Sequence, residues 1–289
     1  MSWLKRKLDG ERAVLAPLVM DALMAKMAEK AGFEALYLGG GASGYRAVHL
    51  EANLSLTEMV QAGIAIRAHV DLPLILDGAG GWGDPMHVVH SVRAAEAAGF
   101  AAIEIEDQHL PKRAHHHVGL EHMVEPDLMA AKVREAVAAR RSDGFVVIAR
   151  TNGVRASSMD DALRRAEAYR EAGADALLLS PRTPDEVRTV GERLGAPLVM
   201  LCRPGGLANL DMTREDLEGL GFRLLVDPTT PLLAAYEAMR AVYHDLAGGG
   251  FAHPTKSAEE WSRLQDELHE TIDLEERLAI ERQTVERSR

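Results

Sequence analysis

The sequence predicts a (β/α)8 TIM barrel, an α/β fold of eight parallel strands alternating with helices, followed by additional C-terminal helices. A repeated pattern joins a helix end, a glycine and a short apolar run. Eight apolar runs occur within about 245 residues, which is the count and size of such a barrel. The runs are nearly continuous rather than alternating, as expected for parallel strands covered on both faces.

The repeat is clearest between AEKAGFEALYLGG at 28–40 and AEAAGFAAIEIED at 95–107. Glycine fits the end of each helix, because it adopts the left-handed conformation that closes helices. The other predicted strands lie in the segments 169–181, 191–203, 217–229, 13–21, 72–78 and 144–152, the last three without the same glycine. Helical patterns lie between the runs, for example Pro85–Ala98 and Asp160–Ala172.

An open, doubly wound sheet is the structural alternative. Such a sheet more often has a glycine-rich dinucleotide-binding turn after its first strand, and VMDALMA at 19–25 contains no glycine. We therefore assign residues 1–250 to the barrel and 251–289 to a helical extension for oligomerisation. In the extension, one apolar helix face requires a partner, either the barrel wall or another subunit. That face carries Trp261, Leu264, Leu268 and Ile272.

Composition narrows the class of protein and its partners. The 289 residues are 47% apolar and 27% charged, which is typical of a globular protein. The net charge of −11 argues against nucleic acid or an anionic membrane as the main partner. A single cysteine, Cys202, forms no internal disulfide, and no segment resembles a signal peptide or membrane span. These features predict a cytoplasmic protein.

Polar residues follow several of the predicted strands, where barrel enzymes place their active sites. Asp77 and Glu106 lie on neighbouring strands, and two carboxylates with waters and substrate oxygens suit Mg²⁺. Arg150, one strand further, would bind a carboxylate or a developing oxyanion. The alternative is that the acids cap the following helices or pair with Lys112 and Arg113.

The remaining candidate motifs are weaker. The glycine stretch at 39–44 permits close backbone approach to a ligand but matches no phosphate-binding loop. Three adjacent histidines at 115–117 cannot easily all face one ion, so we do not expect zinc there. One of them is better suited to proton donation or substrate contact. Cys202 on a buried strand is expected to behave as a small apolar residue.

Five motifs resemble, in order, those of the isocitrate lyase / phosphoenolpyruvate mutase superfamily, especially its 2-methylisocitrate lyase and oxaloacetate decarboxylase-type branch. They are YLGGGAS (37–43), DGAGGWG (77–83), IEDQHLPKR (105–113), IARTN (148–152) and EAGADALL (171–178). The similarity extends to the C-terminal segment 259–277. It implies a barrel that swaps a C-terminal helix between subunits, dimers pairing into tetramers, and dependence on Mg²⁺ or Mn²⁺. It also implies chemistry through an enolpyruvate-like intermediate.

The resemblance assigns roles residue by residue. Asp77 and Glu106 correspond to metal-site acids, and Arg150 to the active-site arginine. The other expected catalytic residues are Lys112 and His116, from the family's K-[KR]-C-G-H loop, and Glu51, the acid nearest the gating loop. The expected substrate-binding residues are Gly39, Gly40, Gly41, Arg113, Asn152 and Ser180.

Several positions depart from the family pattern. The second acid of the metal loop is Ala79, which would weaken metal binding or make it depend on water. The lyase cysteine is Ala114, which removes the usual general acid for isocitrate-type cleavage. Gly39, Ser180 and Leu201 replace the family's serine, glutamate and asparagine.

The sequence predicts a Mg²⁺-dependent carbon–carbon lyase or decarboxylase acting on a small 2-oxo or 2-hydroxy di- or tricarboxylate. Decarboxylation suits the missing cysteine, because the departing CO₂ needs no proton from the enzyme. The alternatives are P–C bond chemistry on a phosphonopyruvate-like substrate and a barrel that has lost catalysis and serves in binding. The altered site positions leave the substrate open.

Overall fold

In the computed structural model, which describes residues 2–251 and 255–286, the central feature is one parallel sheet of eight strands. Strands β2 to β8 each pair with their neighbours in chain order, and β1 pairs with β8. A bridge between Leu18 and Tyr37 joins β1 to β2 and brings the sheet close to a complete ring. The predicted barrel is therefore confirmed, and the open sheet is excluded. Strands β1 to β8 are Val14–Pro17, Leu36–Leu38, Leu74–Asp77, Ala102–Glu106, Val146–Arg150, Ala176–Leu179, Leu198–Leu201 and Phe222–Asp227.

Helices follow the strands and cover the outside of the ring. Helices α1 to α13 are Trp3–Leu8, Ala22–Lys30, Gly40–Arg46, Leu56–Arg67, Pro85–Ala97, Pro126–Ala139, Gly153–Ala156, Met159–Glu171, Pro184–Leu194, Arg214–Gly219, Thr230–Asp245, Ala258–Thr271 and Leu274–Gln283. Short turns of 3-10 helix occupy Glu51–Asn53, Ala114–Val118 and Gly206–Asn209, and a π-turn occupies Leu246–Gly250.

The repeated glycines end helices as the sequence predicts. Gly32 and Gly99, which follow α2 and α5, have φ of 89° and 84°, a region that costs little only for glycine. The chain then turns directly into β2 and β4.

Apolar side chains form two layers, one inside the barrel and one between the strands and the helices. Val14, Ile75 and Leu224 belong to the interior layer, and α1 adds Leu4 and Leu8 to it. Because strand side chains alternate, the remaining side chains pack against the surrounding helices.

Helix α1 is fixed by residues far along the chain. The Ser2 hydroxyl donates to the Gly144 carbonyl across 142 positions, and Lys5 Nζ donates to the Asp143 carbonyl at 3.0 Å. Next to it, Arg223 Nε of β8 donates to the Gly10 carbonyl across 213 positions. The interior layer is therefore completed by a helix that precedes the first strand.

Helix α11 differs from the other long barrel helices because none of its residues is buried. Its first turns border an apolar groove of about 800 Å³ that β1, β8 and α2 also line. Further along, Tyr236 is 58% exposed and Tyr243 is 70% exposed.

The C-terminal extension forms the two helices α12 and α13, joined to α2 by a Lys26–Asp273 ion pair of 3.1 Å. The apolar face predicted for the extension, from Trp261 to Ile272, is exposed. Residues 252–254 and 287–289 of the predicted extension lie outside the described residues. Among the described residues, no helix is long and apolar enough to cross a membrane.

Candidate active site

Charged and polar side chains form a layer inside the barrel, above its apolar interior. Ala102 of β4 belongs to the interior apolar layer, and Glu104 and Glu106 follow at two-residue spacing, so they point to the same side. On β5, Arg150 follows Ile148 in the same way. Glu106 and Arg150 are the last residues of their strands, and Glu104 lies two residues before the end of β4. The layer consists of Tyr37, Asp77, Glu104, Glu106 and Arg150, all of them buried.

Arg150 lies between two carboxylates. Its Nη1 donates to Glu104 Oε1 at 3.0 Å, and its Nε lies 3.3 Å from Glu106 Oε2. The Tyr37 hydroxyl donates to the second Glu104 oxygen at 3.0 Å. Burial raises the pKa of Glu104 to about 7, because removal from water outweighs the attraction of Arg150. Sequence reasoning missed Glu104 and Tyr37, although the alternation along β4 would have placed Glu104 beside Glu106.

Lys112 joins Glu106 to Glu51. Its ammonium donates to Glu106 Oε1 at 2.5 Å and to Glu51 Oε2 at 2.7 Å. Burial raises the pKa of Glu106, but Lys112 and then Arg150 more than offset this, so its pKa lies well below the usual range. Burial and then Asp77 raise the pKa of Glu51 to about 8. The pairing of Glu106 with Lys112 is the arrangement that the alternative interpretation of the strand-end acids predicted.

The glycine turn packs between Asp77 and Glu51. The Gly40 amide donates to Asp77 Oδ2 at 2.9 Å, so this amide already has an acceptor. A Cβ on Gly40 would lie 2.7 Å from Glu51 Cγ, which leaves no room for a side chain. Gly39 and Gly41 line the adjacent cavity. The expectation that the turn contacts substrate therefore stays a prediction for Gly39 and Gly41.

Asp107 points away from this layer and joins β4 to β5 and α8. Its carboxylate accepts from the Thr151 hydroxyl at 2.7 Å, the Tyr169 hydroxyl at 2.9 Å and the Asn152 amide at 3.1 Å. Arg165 Nη1 lies 3.4 Å away. Burial raises the pKa of Asp107 in spite of these contacts. Its role is to hold the turn that follows Arg150.

The other predicted substrate-binding residues lie at different depths. Asn152 is buried and donates to Glu106 Oε2 at 2.9 Å, and it lines a cavity together with Ser180. Arg113 is exposed at the start of the loop after β4. The structure thus brings Asn152 and Ser180 to the cavity and leaves Arg113 at the surface.

The three loop histidines have different partners. His116 Nδ1 lies 2.8 Å from a Glu121 oxygen and 2.7 Å from Gln108 Nε2. His117 Nδ1 lies 2.8 Å from the Tyr45 hydroxyl, and its buried Nε2 has no hydrogen-bond partner among the described residues. Burial lowers the pKa of His117. Sequence reasoning selected His116 from the family's loop motif, and in the structure both His116 and His117 line the cavities.

Two connected cavities open above the charged layer. One, of about 170 Å³, is lined by Gly39, Gly41, Glu51 and Asp77, and a second, of about 320 Å³, extends toward Asn152 and Ser180. Both have six lining residues in common, which are His116, His117, Arg150, Leu201, Pro228 and Thr229. Together they form one chamber at the carboxyl ends of the strands.

The chemistry of the smaller cavity fits a hard divalent cation. Four buried carboxylates, from Glu51, Asp77, Glu104 and Glu106, face only two buried cationic groups, from Lys112 and Arg150. Glu51 Oε1 is buried and has no hydrogen-bond partner in the described part of the chain. All of the acidic donors are oxygens, which Mg²⁺ prefers.

The site does not form a complete protein cage for an ion. In residues 2–251 and 255–286, no three His, Cys, Asp or Glu side chains are grouped as ligands of one metal. Both oxygens of Glu106 already accept hydrogen bonds, whereas each Asp77 oxygen accepts only one backbone amide. Water would therefore have to supply much of the coordination, because Ala79 provides no second acid in the metal loop. Mg²⁺ commonly keeps several water ligands.

Several known proteins are similar to this chain in sequence and in fold. The family model described as phosphoenolpyruvate phosphomutase matches residues 4–247. The 2,3-dimethylmalate lyase of Eubacterium barkeri is 34% identical over 241 residues, which cover 82% of each chain. The 2-methylisocitrate lyase of Aeropyrum pernix is 32% identical over 249 residues, covering 86% of this chain and 80% of that protein. A crystal structure of phosphonopyruvate hydrolase with oxalate and Mg²⁺ is 31% identical with a TM-score of 0.84, covering 98% of both chains.

The raised pKa values of Glu51 and Glu104 predict a pH-dependent stability for the metal-free protein. The folded state holds protons on these groups up to about pH 8 and about pH 7, whereas the unfolded chain releases them near pH 4.5. The free energy of unfolding should therefore fall as pH rises from 5 to 8. For Glu104→Gln we expect a shallower fall below pH 7, by up to about 1.4 kcal/mol per pH unit.

Urea unfolding in EDTA at pH 5 to 8 measures this slope. Glu192→Gln, on the exposed surface of α9, is the control and should keep the wild-type slope. An unchanged slope in Glu104→Gln would contradict the assignment of a buried, proton-binding Glu104.

Proposed function

The chain belongs to the phosphoenolpyruvate phosphomutase family, within the PEP mutase/isocitrate lyase superfamily, and from this premise we propose its reaction. It is a divalent-metal-dependent carbon–carbon lyase or decarboxylase that acts on a small 2-oxo or 2-hydroxy carboxylate through an enolate. The observation that carries this proposal is the buried charged layer at the strand ends, from which Arg150 and Asp77, together with Glu51, open onto one chamber.

Asp77 and Glu106 are the residues that would hold the cation, with Glu106 acting through water. When bound, Mg²⁺ supplies Lewis acidity toward the carboxylate and neighbouring oxygen of the substrate. The named relatives include a Mg²⁺ complex, which supports this choice of metal. Mn²⁺ has the same preference for oxygen donors and is expected to substitute.

Arg150 binds the substrate carboxylate and the charge that develops beside it. Its Nε and Nη1 contact Glu106, Asn152 and Glu104, and its Nη2 makes no hydrogen bond within the described residues. The two glutamates fix the guanidinium plane, so Nη2 is directed before substrate arrives. A donor positioned in advance stabilises a developing oxyanion without reorganisation.

Glu51 and Lys112 are suited to proton transfer from a 2-hydroxy acid. Glu51 Oε1 has no hydrogen-bond partner among the described residues, and we assign the ionised form of Glu51, which predominates above about pH 8 in the metal-free protein, the role of accepting the substrate hydroxyl proton. Lys112 holds the other Glu51 oxygen and thereby fixes the direction of Oε1. Bond cleavage then leaves an enolate, and a proton must return to carbon.

The proton donor to the enolate is a loop histidine, because Ala114 provides no acidic group. His116 is already paired with Glu121, whereas His117 Nε2 is unpartnered at the wall of the chamber. In the protonated ring, Nδ1 donates to the Tyr45 hydroxyl and Nε2 carries a second proton, which it can give to the enolate carbon to leave a neutral imidazole. We therefore add His117 to His116 as a candidate donor.

The assembly proposed for the protein is a dimer formed through α11, with dimers pairing further. The groove beside β1 and α2 lacks a covering helix, and the apolar residues of α11 beyond its first turns are exposed. The α11 helix of a second subunit would bury both surfaces. Apolar surface of this extent is unusual on a monomer.

Ligand binding tests the enolate mechanism. We expect Mg²⁺ with oxalate, a mimic of the enolate, to raise the melting temperature, and neither ligand alone to do so fully. Asp77→Ala should abolish this joint effect and lower kcat/KM by about 100-fold or more, because it removes a metal ligand. Glu192→Gln should behave as wild type.

Turnover identifies the reaction. 2-Methylisocitrate, 2,3-dimethylmalate and oxaloacetate test C–C cleavage, and phosphonopyruvate tests P–C chemistry. Turnover of phosphonopyruvate alone would replace the lyase proposal with the phosphonate alternative. Absence of both binding and turnover would favour the non-catalytic alternative.

Substitution of the histidines tests the proton donor. On any substrate that is turned over, His117→Gln should lower kcat by about 100-fold with little change in KM, because proton transfer contributes that much. His116→Gln should act mainly on KM through the loop, and the exposed His115→Gln is the control. Equal activity in His117→Gln and wild type would exclude His117 as the donor.

The oligomeric state tests the role of α11. Light scattering after size exclusion should show a multimer for the wild type and a smaller species for Tyr236→Glu with Met239→Glu, because charges would be buried at the interface. Glu237→Gln on the same helix should leave the mass unchanged. A monomeric wild-type protein would contradict the proposed assembly.

A further inference from the structure

Three arginines surround the end of the chamber farthest from the carboxylates. Arg155, Arg182 and Arg203 follow β5, β6 and β7 and line the larger cavity. With Arg150, the lining of this cavity contains four arginines and one acidic residue, Glu121. This composition is opposite to that of the whole protein, whose net charge is −11.

Two of these arginines have no acidic partner. Arg155 pairs with Glu186 and also donates to the Ser180 carbonyl at 3.4 Å. The guanidinium groups of Arg182 and Arg203 form neither an ion pair nor a hydrogen bond with any described residue. Both residues are exposed at the wall of the cavity, so solvent rather than an acidic side chain balances their positive charges.

Arg155, Arg182 and Arg203 are neighbours in the lining of one cavity, so their like charges repel one another. Burial, and then Arg155 and Arg203, lower the pKa of Arg182. Glu186 and Glu121 counteract this less, and both are already engaged, Glu186 with Arg155 and Glu121 with the loop. An anion between Arg182 and Arg203 would relieve the repulsion.

The basic wall faces the same chamber as the proposed metal site. The two cavities have six lining residues in common, among them Arg150 at the centre. Carboxylates line one end of the chamber, and unpaired arginines line the other. A ligand whose enolate-forming end lies beside Arg150 would therefore extend toward Arg182 and Arg203.

We propose that Arg182 and Arg203 bind a second, distal carboxylate of the substrate and so select acids that carry one more carboxylate beyond the two at the reacting centre. This inference rests on the proposed function, because it assigns the specificity of the same chamber. A planar guanidinium binds a carboxylate through two parallel hydrogen bonds, which gives geometric selectivity as well as affinity.

The substrates named by two relatives form a matched pair for this inference. 2-Methylisocitrate differs from 2,3-dimethylmalate by one carboxylate on a side branch. Cleavage of the first releases succinate, and cleavage of the second releases propionate. Succinate and propionate are therefore probes that differ only in the distal group.

Calorimetric titration of the full-length protein at fixed ionic strength measures the preference. Wild type should bind succinate at least 10-fold more tightly than propionate. The double variant Arg182→Gln with Arg203→Gln should bind succinate about 10-fold or more weakly and lose the preference for succinate over propionate, because charge-assisted hydrogen bonds are lost. Arg188→Gln, an exposed arginine paired with Asp185 on α9, is the matched control and should keep it.

Mg²⁺ with oxalate, titrated in parallel, separates the two proposals. Its binding should change less than twofold in the double variant, because oxalate occupies only the end near Asp77. If the wild type does not bind oxalate with Mg²⁺, the proposed function is contradicted. The preference for succinate over propionate is measured in EDTA, without metal, and therefore tests only the arginines. Equal binding of succinate and propionate by wild type, or a preserved preference in the double variant, would overturn the distal carboxylate site. A 10-fold tighter binding of 3-phosphonopropionate than of succinate, lost in the double variant, would replace the carboxylate with a phosphoryl group.

Discussion

The placement of Arg150 between Glu104 and Glu106 is the interaction on which the site depends. All three side chains point into the barrel, where an unpaired charge would be costly, so each needs the others to remain in place. The pairing also positions Lys112 and Asn152, which contact Glu106. The chamber above them acquires much of its polarity from this layer, to which the 3-10 turn after α3 adds Glu51.

The sequence predicted the barrel because every strand is a nearly continuous apolar run and five of the eight follow a helix-closing glycine. Continuous apolar runs and helix-closing glycines such as Gly32 recur, and eight recurrences permit few other folds. The strand ends were equally visible, so Asp77, Glu106 and Arg150 could be named in advance. Glu104 was missed because only the last residues of the strands were considered as candidates. Glu104 lies two residues before Glu106 and also points into the barrel.

Loop chemistry was less predictable. Three adjacent histidines look equivalent in a sequence, and only the folded loop directs His116 to Glu121 and His117 to Tyr45. The basic wall was also hidden, since Arg182 and Arg203 lie 21 positions apart and meet only because β6 and β7 are neighbours. Sequence reasoning noted Ser180 and Leu201 as departures from a family pattern and Arg203 as a strand-end residue, but it did not combine Arg203 with Arg182 into one site. Those departures and the arginines share one wall, which is consistent with a change in specificity.

The helix that closes the bottom of the barrel also sets an order of events during synthesis. Leu4 and Leu8 leave the ribosome before any strand of the barrel, yet Gly144 and Arg223, which hold this region, are made 142 and 213 positions after their partners Ser2 and Gly10. Until Gly144 and Arg223 have been made, helix α1 lacks these contacts, and its apolar residues stay accessible to chaperones. Contacts of such long sequence separation slow folding. A nascent barrel of this kind therefore matures only when its eighth strand has left the exit tunnel.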